Sequence, residues 1–448
     1  MIHALPVTIQ DCRHLSDVTE VSPGATPLKV RNALQHIEFA QIFRVFGRIG
    51  LLSFGGPAAQ ISMMHEDLVV RHKWLTEQKF LGALSFCMLL PGPEAMQLAT
   101  YAGWCLRGVA GGLMAGLLFV LPGAAVILAL AMGYAYFGEL PLVQALFLGV
   151  KAAVVVIVLQ ALLNLSRRAL VGVQSWVLAA LGFAAMFFLS VPFPLIIGAA
   201  ALWGYLASRG QVAAPSVTTP VPLGTTLRTA TLWGALWAAP IIIAWALGAT
   251  FLADLTLFFS KLALVTFGGA YAVLAYMTDT VVSTKGWLST AQMIDALGLA
   301  ETTPGPLILV TEFVGLLAGF AQGGPGLAVV AGIMTLWVTF TPCFLWIFTG
   351  APYIERLLER PRLKGALAGI SAAVVGVIAN LSVWFALHVL FGTVRETRFG
   401  PLPEIASFDP LSFIMVGLAG GLLLWLHLSM VRVLGLMVVF AGALHGLI

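Results

Sequence analysis

The chain has 448 residues, of which 60% are hydrophobic and only 9% are charged, and its formal net charge is +4. A soluble chain averages about 25% charged residues, so this composition predicts an integral membrane protein. The scattered positive charges exclude a basic run suited to nucleic acid, and the four cysteines have no CxxC spacing that favours a metal site or a disulfide framework.

The order of segments along the chain suggests two halves. Residues 1–35 are polar and lack the basic and apolar regions of a signal peptide, so we expect a soluble N-terminal tail. Apolar stretches suited to membrane helices then recur up to the C-terminus. We assign 36–208 to a first repeat, 209–250 to a polar linker with one connecting helix, and 251–448 to a second repeat.

Two short motifs, Phe-Gly-Gly and Pro-Gly-Pro, occur twice, at the same spacing in both halves. Over residues 51–93, 14 of 43 positions are identical to those 213 residues later. Glycine and proline residues that interrupt corresponding apolar segments of two membrane repeats are typical of a transport site at the interface of the repeats. We therefore predict that the motif residues bind the substrate: Phe54, Gly55, Gly56, Pro91, Gly92 and Pro93 in the first copy, and Phe267, Gly268, Gly269, Pro304, Gly305 and Pro306 in the second.

The apolar segments beside these Phe-Gly-Gly and Pro-Gly-Pro motifs are short. Glycine pairs offer turn conformations, and proline interrupts the hydrogen bonds of a helix. The pattern predicts broken or re-entrant helices whose tips meet deep in the membrane, where only protein or a water-filled cavity can cover them. Ordinary full-length spans with kinks are the alternative.

The distribution of Lys and Arg predicts that the two halves are inverted. Cytoplasmic loops are richer in these residues. The loop between the two motifs is basic in the first half but holds only Lys285 in the second, whereas 137–141 lacks Lys and Arg and 351–364 holds four. We therefore predict an all-α integral membrane protein of two inverted repeats, joined by one extra transmembrane helix at 228–250.

The chemistry of the breaks favours an anion. Each Pro-Gly-Pro motif opens a helix, whose free N–H groups and positive dipole end point at the break. Arg48 and Lys261 each lie six residues before the Phe of a Phe-Gly-Gly motif, about 9 Å along a helix. We expect both cations to balance a bound dianion and to be required for transport, unless they reach to lipid headgroups instead.

Four further charges lie within apolar segments. Glu94, Glu301 and Glu312 lie near the Pro-Gly-Pro motifs and are candidates for proton coupling, since burial disfavours the charged form of a carboxyl. Helix capping and hydrogen-bonded structural roles are their alternatives. Lys151 is a candidate second charge site, or else an interfacial lysine. The absence of a Walker A motif and of a Ser/His/Asp arrangement predicts no catalytic residue, no cofactor and no enzyme.

The sequences around the motifs resemble the long, two-domain form of the chromate ion transporter family. The similar segments are LLSFGGPAAQ (51–60), LLPGPEAMQLATYAGW (89–104), TFGGAYAVL (266–274) and LAETTPGPLILVTEFVG (299–315). The resemblance implies a secondary transporter in the bacterial inner membrane that exports chromate, is driven by an ion gradient and confers chromate resistance.

Two other functions stay open. Sulfate is also a tetrahedral dianion, so a sulfate transporter or exchanger is one alternative, and a passive anion channel is another. A membrane enzyme such as a chromate reductase would need a redox cofactor site, which the sequence lacks. The expected partners are chromate or sulfate, the lipid bilayer and a second copy of the chain.

Overall fold

The computed structural model describes residues 37–54, 56–208, 222–267, 270–354, 360–397 and 400–447. The N-terminal tail, Gly55, Gly268, Gly269 and residues 209–221 of the linker lie outside the described residues. The described part is almost entirely helical, as the composition predicts, and five of its helices are long and apolar enough to cross a membrane. The chain is therefore a multi-pass, helical membrane protein.

Within the described ranges the first half forms seven helices, and an eighth connects it to the second half. The bounds are α1 Phe39–Leu52, α2 Gly56–His65, α3 Glu77–Cys87, α4 Glu94–Phe137, α5 Pro141–Ala169, α6 Val173–Leu189, α7 Phe193–Ala207 and the connecting helix α8 Leu223–Ala246. A π-helical turn, Glu66–Arg71, extends α2.

The second half repeats this order. Its helices are α9 Thr250–Val265, α10 Ala270–Asp279, α11 Thr290–Thr302, α12 Val310–Gly350, α13 Pro361–Leu390, α14 Pro410–Gly420 and α15 Met430–Leu447. A 3-10 turn, Leu307–Leu309, precedes α12, and π-helical turns at Thr280–Thr284 and Gly421–Trp425 extend α10 and α14.

One element of the second half was not predicted. After α13, strands β1 (Val394–Thr397) and β2 (Gly400–Pro403) form a small antiparallel hairpin, with Gly400 at a positive φ of 102° where the chain turns. The first half passes from α5 to α6 within residues 170–172 instead. The strands are only four residues long, too short for an alternating pattern to stand out in the sequence.

Both long helices that follow the Pro-Gly-Pro motifs reverse direction at a glycine. In α4 the break lies at Arg107-Gly108, where Gly108 has a φ of 63°. The two segments then run back along each other so closely that a Cβ on Gly103 would lie 2.3 Å from the carbonyl oxygen of Gly111. In α12 the break lies at Gly323-Gly324, and a Cβ on Gly319 would lie 2.8 Å from the Leu327 oxygen. Small residues permit this contact between backbones.

The helices beside the Phe-Gly-Gly motifs also form hairpins. In the first half Arg48 on α1 lies 3.8 Å from Asp67, in the π-helical turn that extends α2. In the second half Lys285, just after α10, pairs with Asp254 at the start of α9. The helices of each pair therefore run side by side. The described helices end next to all four motifs, where the sequence predicts interruptions.

The two halves are interlocked rather than set side by side. Helix α13 of the second half packs against α6 and α7 of the first, while α5 of the first half packs against α14 and α15 of the second. The backbones again approach at glycines: a Cβ on Gly204 would lie 2.0 Å from the Gly365 oxygen, and one on Gly149 would lie 2.2 Å from the Met437 oxygen. The pair α4 and α12 packs at the centre and holds the site.

Helix α8 is joined to α12 by two reciprocal hydrogen bonds. A proline inside a helix leaves the carbonyl four residues earlier without its donor. Pro342 frees the oxygen of Val338, to which Trp237 donates from Nε1 over 3.0 Å. Pro240 frees the oxygen of Leu236, to which Trp337 donates over 2.7 Å. Each tryptophan therefore completes the helix of its partner.

We expect Trp237→Phe and Trp337→Phe each to destabilise the protein by about 1–3 kcal/mol, because each leaves a carbonyl oxygen without a partner. Thermal unfolding of the purified protein in detergent measures this. Trp245→Phe in the same helix is the control, since Trp245 is 79% exposed. Equal unfolding temperatures for all three variants would contradict the role of these hydrogen bonds.

Candidate functional site

The two repeats exchange identical hydrogen bonds at their motifs. The N–H of Gly92 donates to the carbonyl oxygen of Thr266 over 2.8 Å, and the N–H of Gly305 donates to that of Ser53 over 2.9 Å. Gly92 and Gly305 are equivalent positions of the two repeats, as are Ser53 and Thr266, which precede the Phe-Gly-Gly motifs. A reciprocal exchange of this kind is what a two-fold relation between two copies produces.

Glycine is required at the centre of both Pro-Gly-Pro motifs. Gly92 has a φ of 115° and Gly305 a φ of 94°, which other residues rarely adopt. A Cβ on Gly92 would lie 2.9 Å from Nε2 of Gln97 and 3.0 Å from Sγ of Cys343. The flanking prolines have no N–H, so the glycine supplies the only backbone donor of each motif.

These hydrogen bonds occupy the N–H groups of two residues that the sequence predicts to bind the substrate. In the structure the N–H groups of Gly92 and Gly305 donate to carbonyl oxygens of the opposite repeat. The remaining donors follow each motif. Helix α4 begins at Glu94, and a 3-10 turn begins at Leu307, so their first N–H groups have no acceptor within the helix.

A narrow cleft lies at this crossing. Residues from both repeats line it: Pro57, Gln60, Pro93, Glu94, Ala95, Thr266, Pro306, Leu307 and Ile308. Two helix beginnings, at Glu94 and at Leu307, therefore face one space. Of the residues predicted from the sequence, Pro93, Pro306 and Glu94 line the cleft directly.

The other described motif residues lie around the cleft rather than in its wall. Phe54 and Phe267 are half-buried beside the crossing, and Gly56 begins α2 with a φ of 77°. Pro91 accepts a hydrogen bond on its oxygen from Nε2 of Gln97 over 2.7 Å. The oxygen of Pro304 packs onto the backbone of α4 at Gly123, where a Cβ would lie 2.2 Å away.

Gln60 is a site residue that the sequence analysis missed. It is 1% exposed, and its Nε2 donates to the oxygen of Gly305 over 2.7 Å and reaches that of Ser53 at 3.4 Å. Its Oε1 is buried without a hydrogen-bond partner among the described residues. One signal was available: the equivalent residue of the second repeat is the apolar Val273.

Arg48 and Lys261 do not line the cleft, which differs from the expectation that they balance a bound dianion there. The buried face of α1 holds Phe46, Ile49 and Gly50, and Arg48 lies on the exposed side, 3.8 Å from Asp67. Lys261 is likewise exposed on α9. The prediction considered the distance along the helix but not the face.

The carboxylates of the second repeat are buried but lie outside the cleft wall. Glu301 accepts a hydrogen bond on Oε1 from the hydroxyl of Tyr271 over 2.9 Å, which joins the end of α11 to the start of α10. Glu312 is buried in the first turn of α12, and its Oε2 has no hydrogen-bond partner within the described ranges. Lys151 forms an ion pair with Asp295, a residue that the sequence analysis did not single out.

Comparison with known proteins gives one consistent family. A family model described as chromate transporter matches residues 40–205 and again 253–447, once for each repeat. The chain is 31% identical to the "Probable chromate transport protein" of Synechococcus elongatus, over 88% of this chain and 98% of that one. It is 32% identical to the "Chromate transport protein" of Pseudomonas aeruginosa, over 87% of this chain and 92% of that one.

A third relative agrees. The "Chromate transport protein" of Cupriavidus metallidurans is 30% identical over 77% of this chain and 82% of its own length. No solved structure matches the chain. The duplicated motifs, the helical membrane fold and both matches of the family model lead to one conclusion: this chain belongs to the chromate transporter family, whose members are transporters and not enzymes.

Proposed function

We propose that this chain is a secondary transporter that exports chromate across the bacterial inner membrane and binds it in the cleft between the two repeats. The observation that carries the proposal is the reciprocal crossing of Gly92 and Gly305, which brings two helix beginnings to one space. Relatives of similar length are named chromate transport proteins, which supports the substrate.

Two helix beginnings offer an anion backbone donors at the cleft. Ala95, Leu307 and Ile308 line it near the start of α4 and of the 3-10 turn, where N–H groups have no acceptor within the helix. The side chain of Glu94 opposes anion binding when it is ionised, since a carboxylate repels a dianion. Protonation of Glu94 therefore favours binding, which links the site to protons.

The membrane potential supports export as the direction. Moving one elementary charge down a membrane potential of about 100 mV releases about 2.3 kcal/mol. A dianion that leaves a cell with a negative interior therefore releases about 4.6 kcal/mol. Export therefore runs down the electrical part of the ion gradient, and uptake would run against it. Chromate resistance follows from net removal of the anion.

We further propose that the two repeats are inverted and that the hairpins ending at the motifs are re-entrant. The reversed Lys/Arg bias and the two-fold crossing support this arrangement. Cysteines placed at Glu139 and at Tyr353, in the equivalent loops after α4 and α12, should react with a membrane-impermeant thiol reagent from opposite sides. Reaction from the same side would exclude inversion.

We expect Arg48→Ala and Lys261→Ala to raise the half-saturating chromate concentration several-fold while the maximal rate changes less than about twofold. Both cations are exposed and outside the cleft wall, so they attract the anion at a distance. Initial rates over a range of chromate concentrations measure this. Loss of the maximal rate in both variants would instead place the cations on the substrate.

Uptake of labelled chromate into inside-out vesicles tests the proposed function. With the membrane potential clamped to zero, vesicles that contain the protein and are preloaded with unlabelled chromate should transiently accumulate labelled chromate above its external concentration. Equilibration without accumulation would indicate a passive channel. Faster accumulation of labelled sulfate than of chromate, with chromate only a weak competitor, would favour the sulfate alternative.

A further inference from the structure

An ion pair joins the two repeats away from the cleft. Lys151 on α5 of the first repeat lies with Nζ 3.1 Å from Oδ1 of Asp295 on α11 of the second. Tyr134 on α4 donates its hydroxyl to Oδ2 of Asp295 over 2.7 Å. Asp295 is only 5% exposed, so the carboxylate depends on these two partners. Both belong to the other half of the chain.

This cluster occurs once in a duplicated structure. The residue equivalent to Asp295 in the first repeat is Gly82, and the residue equivalent to Lys151 in the second is Ser371. A buried ion pair is weak support for stability, because well-packed apolar residues in its place are often as stable or more so. Ionisable groups within membrane segments usually serve function. A charge pair that breaks the symmetry of the repeats therefore calls for a functional reason.

The position of Asp295 connects it to the substrate cleft. It lies on α11, which ends at Thr302, directly before the second Pro-Gly-Pro motif. The same helix packs tightly on α5, where a Cβ on Gly298 would lie 2.4 Å from Cγ1 of Val150. The ion pair thus holds the helix that carries one side of the crossing against the opposite repeat.

The groups that face Asp295 leave Lys151 as its single counter-charge among the described residues. Helix α5 contributes Lys151, and α4 contributes the Tyr134 hydroxyl, with Glu139 close enough to Tyr134 to act on it electrostatically. Helix α12 packs beside the cluster with Phe313, whose ring lies 5.6 Å from that of Tyr134. The turn Leu307–Leu309 brings only apolar side chains.

We propose that Asp295 is a proton-binding site whose occupancy is coupled to chromate movement. A proton taken from water on one side of the membrane binds a carboxylate oxygen of Asp295 and removes its attraction for Lys151. Helix α11 and the second Pro-Gly-Pro motif are then free to shift relative to α5. When the proton leaves to the other side, the ion pair forms again. This inference rests on the proposed transport of chromate.

The test uses purified full-length protein in liposomes with the membrane potential clamped to zero. Wild-type protein should accumulate labelled chromate in response to a pH gradient and should also exchange internal for external chromate. For Asp295→Asn we expect exchange within about threefold of wild type and gradient-driven accumulation lowered at least tenfold. A merely structural ion pair would lower both activities together, which would overturn the proposal.

Two further variants complete the design. Asp295→Asn alone leaves the charge of Lys151 uncompensated, which could impair folding. The double variant Asp295→Asn with Lys151→Gln removes both charges and should transport like the single variant, so the result does not depend on the folding of the single variant. Asp254→Asn, which breaks the exposed ion pair with Lys285, is the matched control and should keep both activities. Accumulation of chromate driven by the pH gradient that persists at the wild-type level in the double variant overturns this proposal and leaves the proposed function standing. The proposal on Asp295 is also overturned if wild-type protein transports chromate but does not respond to the pH gradient. If wild-type protein transports no chromate, the proposed function is overturned as well.

Discussion

Gly92→Val and Gly305→Val are each expected to abolish chromate transport while the protein remains in the membrane. Valine at a positive φ is strained by about 1–3 kcal/mol, and its Cβ would meet Gln97 and Cys343 at the first position and Leu309 at the second. Relief of that strain moves the glycine N–H away from the opposite repeat. Because both crossings build one cleft, the intact copy should not compensate. Efflux normalised to the amount of membrane protein measures the effect.

Gly248→Val is the matched control for this pair. Gly248 lies between α8 and α9 and has a φ of 68°, and a Cβ there would have no neighbour within 4 Å. The variant therefore introduces comparable backbone strain away from the cleft, and it should retain most of the transport. Normal efflux in either Pro-Gly-Pro variant would mean that the crossing does not form the substrate site.

Leu307→Glu is expected to lower transport at least a hundredfold. Leu307 is the counterpart of Glu94 in the second repeat and lines the same cleft, so the variant adds a second carboxylate beside the substrate. A single charge and a dianion about 8 Å apart repel by roughly 4 kcal/mol at an effective dielectric constant of about 20. Initial rates of chromate uptake into inside-out vesicles measure the loss.

Leu307→Gln separates charge from shape. Glutamine has the size of glutamate but no charge, so this variant should keep transport within about fivefold of wild type. Equal losses in Leu307→Glu and Leu307→Gln would show that packing, and not repulsion of an anion, explains the effect. Transport by Leu307→Glu at the wild-type rate would place the anion outside the cleft.

The features that could be predicted from the sequence are those that occur in both repeats. The interruptions at Phe-Gly-Gly and Pro-Gly-Pro follow from the local chemistry of glycine and proline, so both copies predict that a helix ends at the motif. The membrane class follows from composition. The partner of each glycine N–H could not be predicted, because it is a carbonyl oxygen of the other repeat, and its identity depends on how the halves cross.

Features that occur once were harder to predict. Lys151 stood out as a charge in an apolar run, but Asp295 lies in a helix whose burial is set by contact with α5 and is not visible locally. Gln60 reads as an ordinary polar residue until the second motif is placed beside it. Arg48 was placed only by its distance along α1, although Gln41, Arg44 and Arg48 recur at helical spacing and mark a polar side that the structure exposes.

The number of chromate ions bound per chain tests the central claim most directly. Equilibrium dialysis of the purified protein against labelled chromate measures this number for the wild type, Gly92→Val and Gly305→Val. A cleft shared by both repeats predicts one ion per wild-type chain and none in either variant. Two ions per wild-type chain, or one that persists in either variant, would show that the repeats bind separately and would contradict a single site at their crossing.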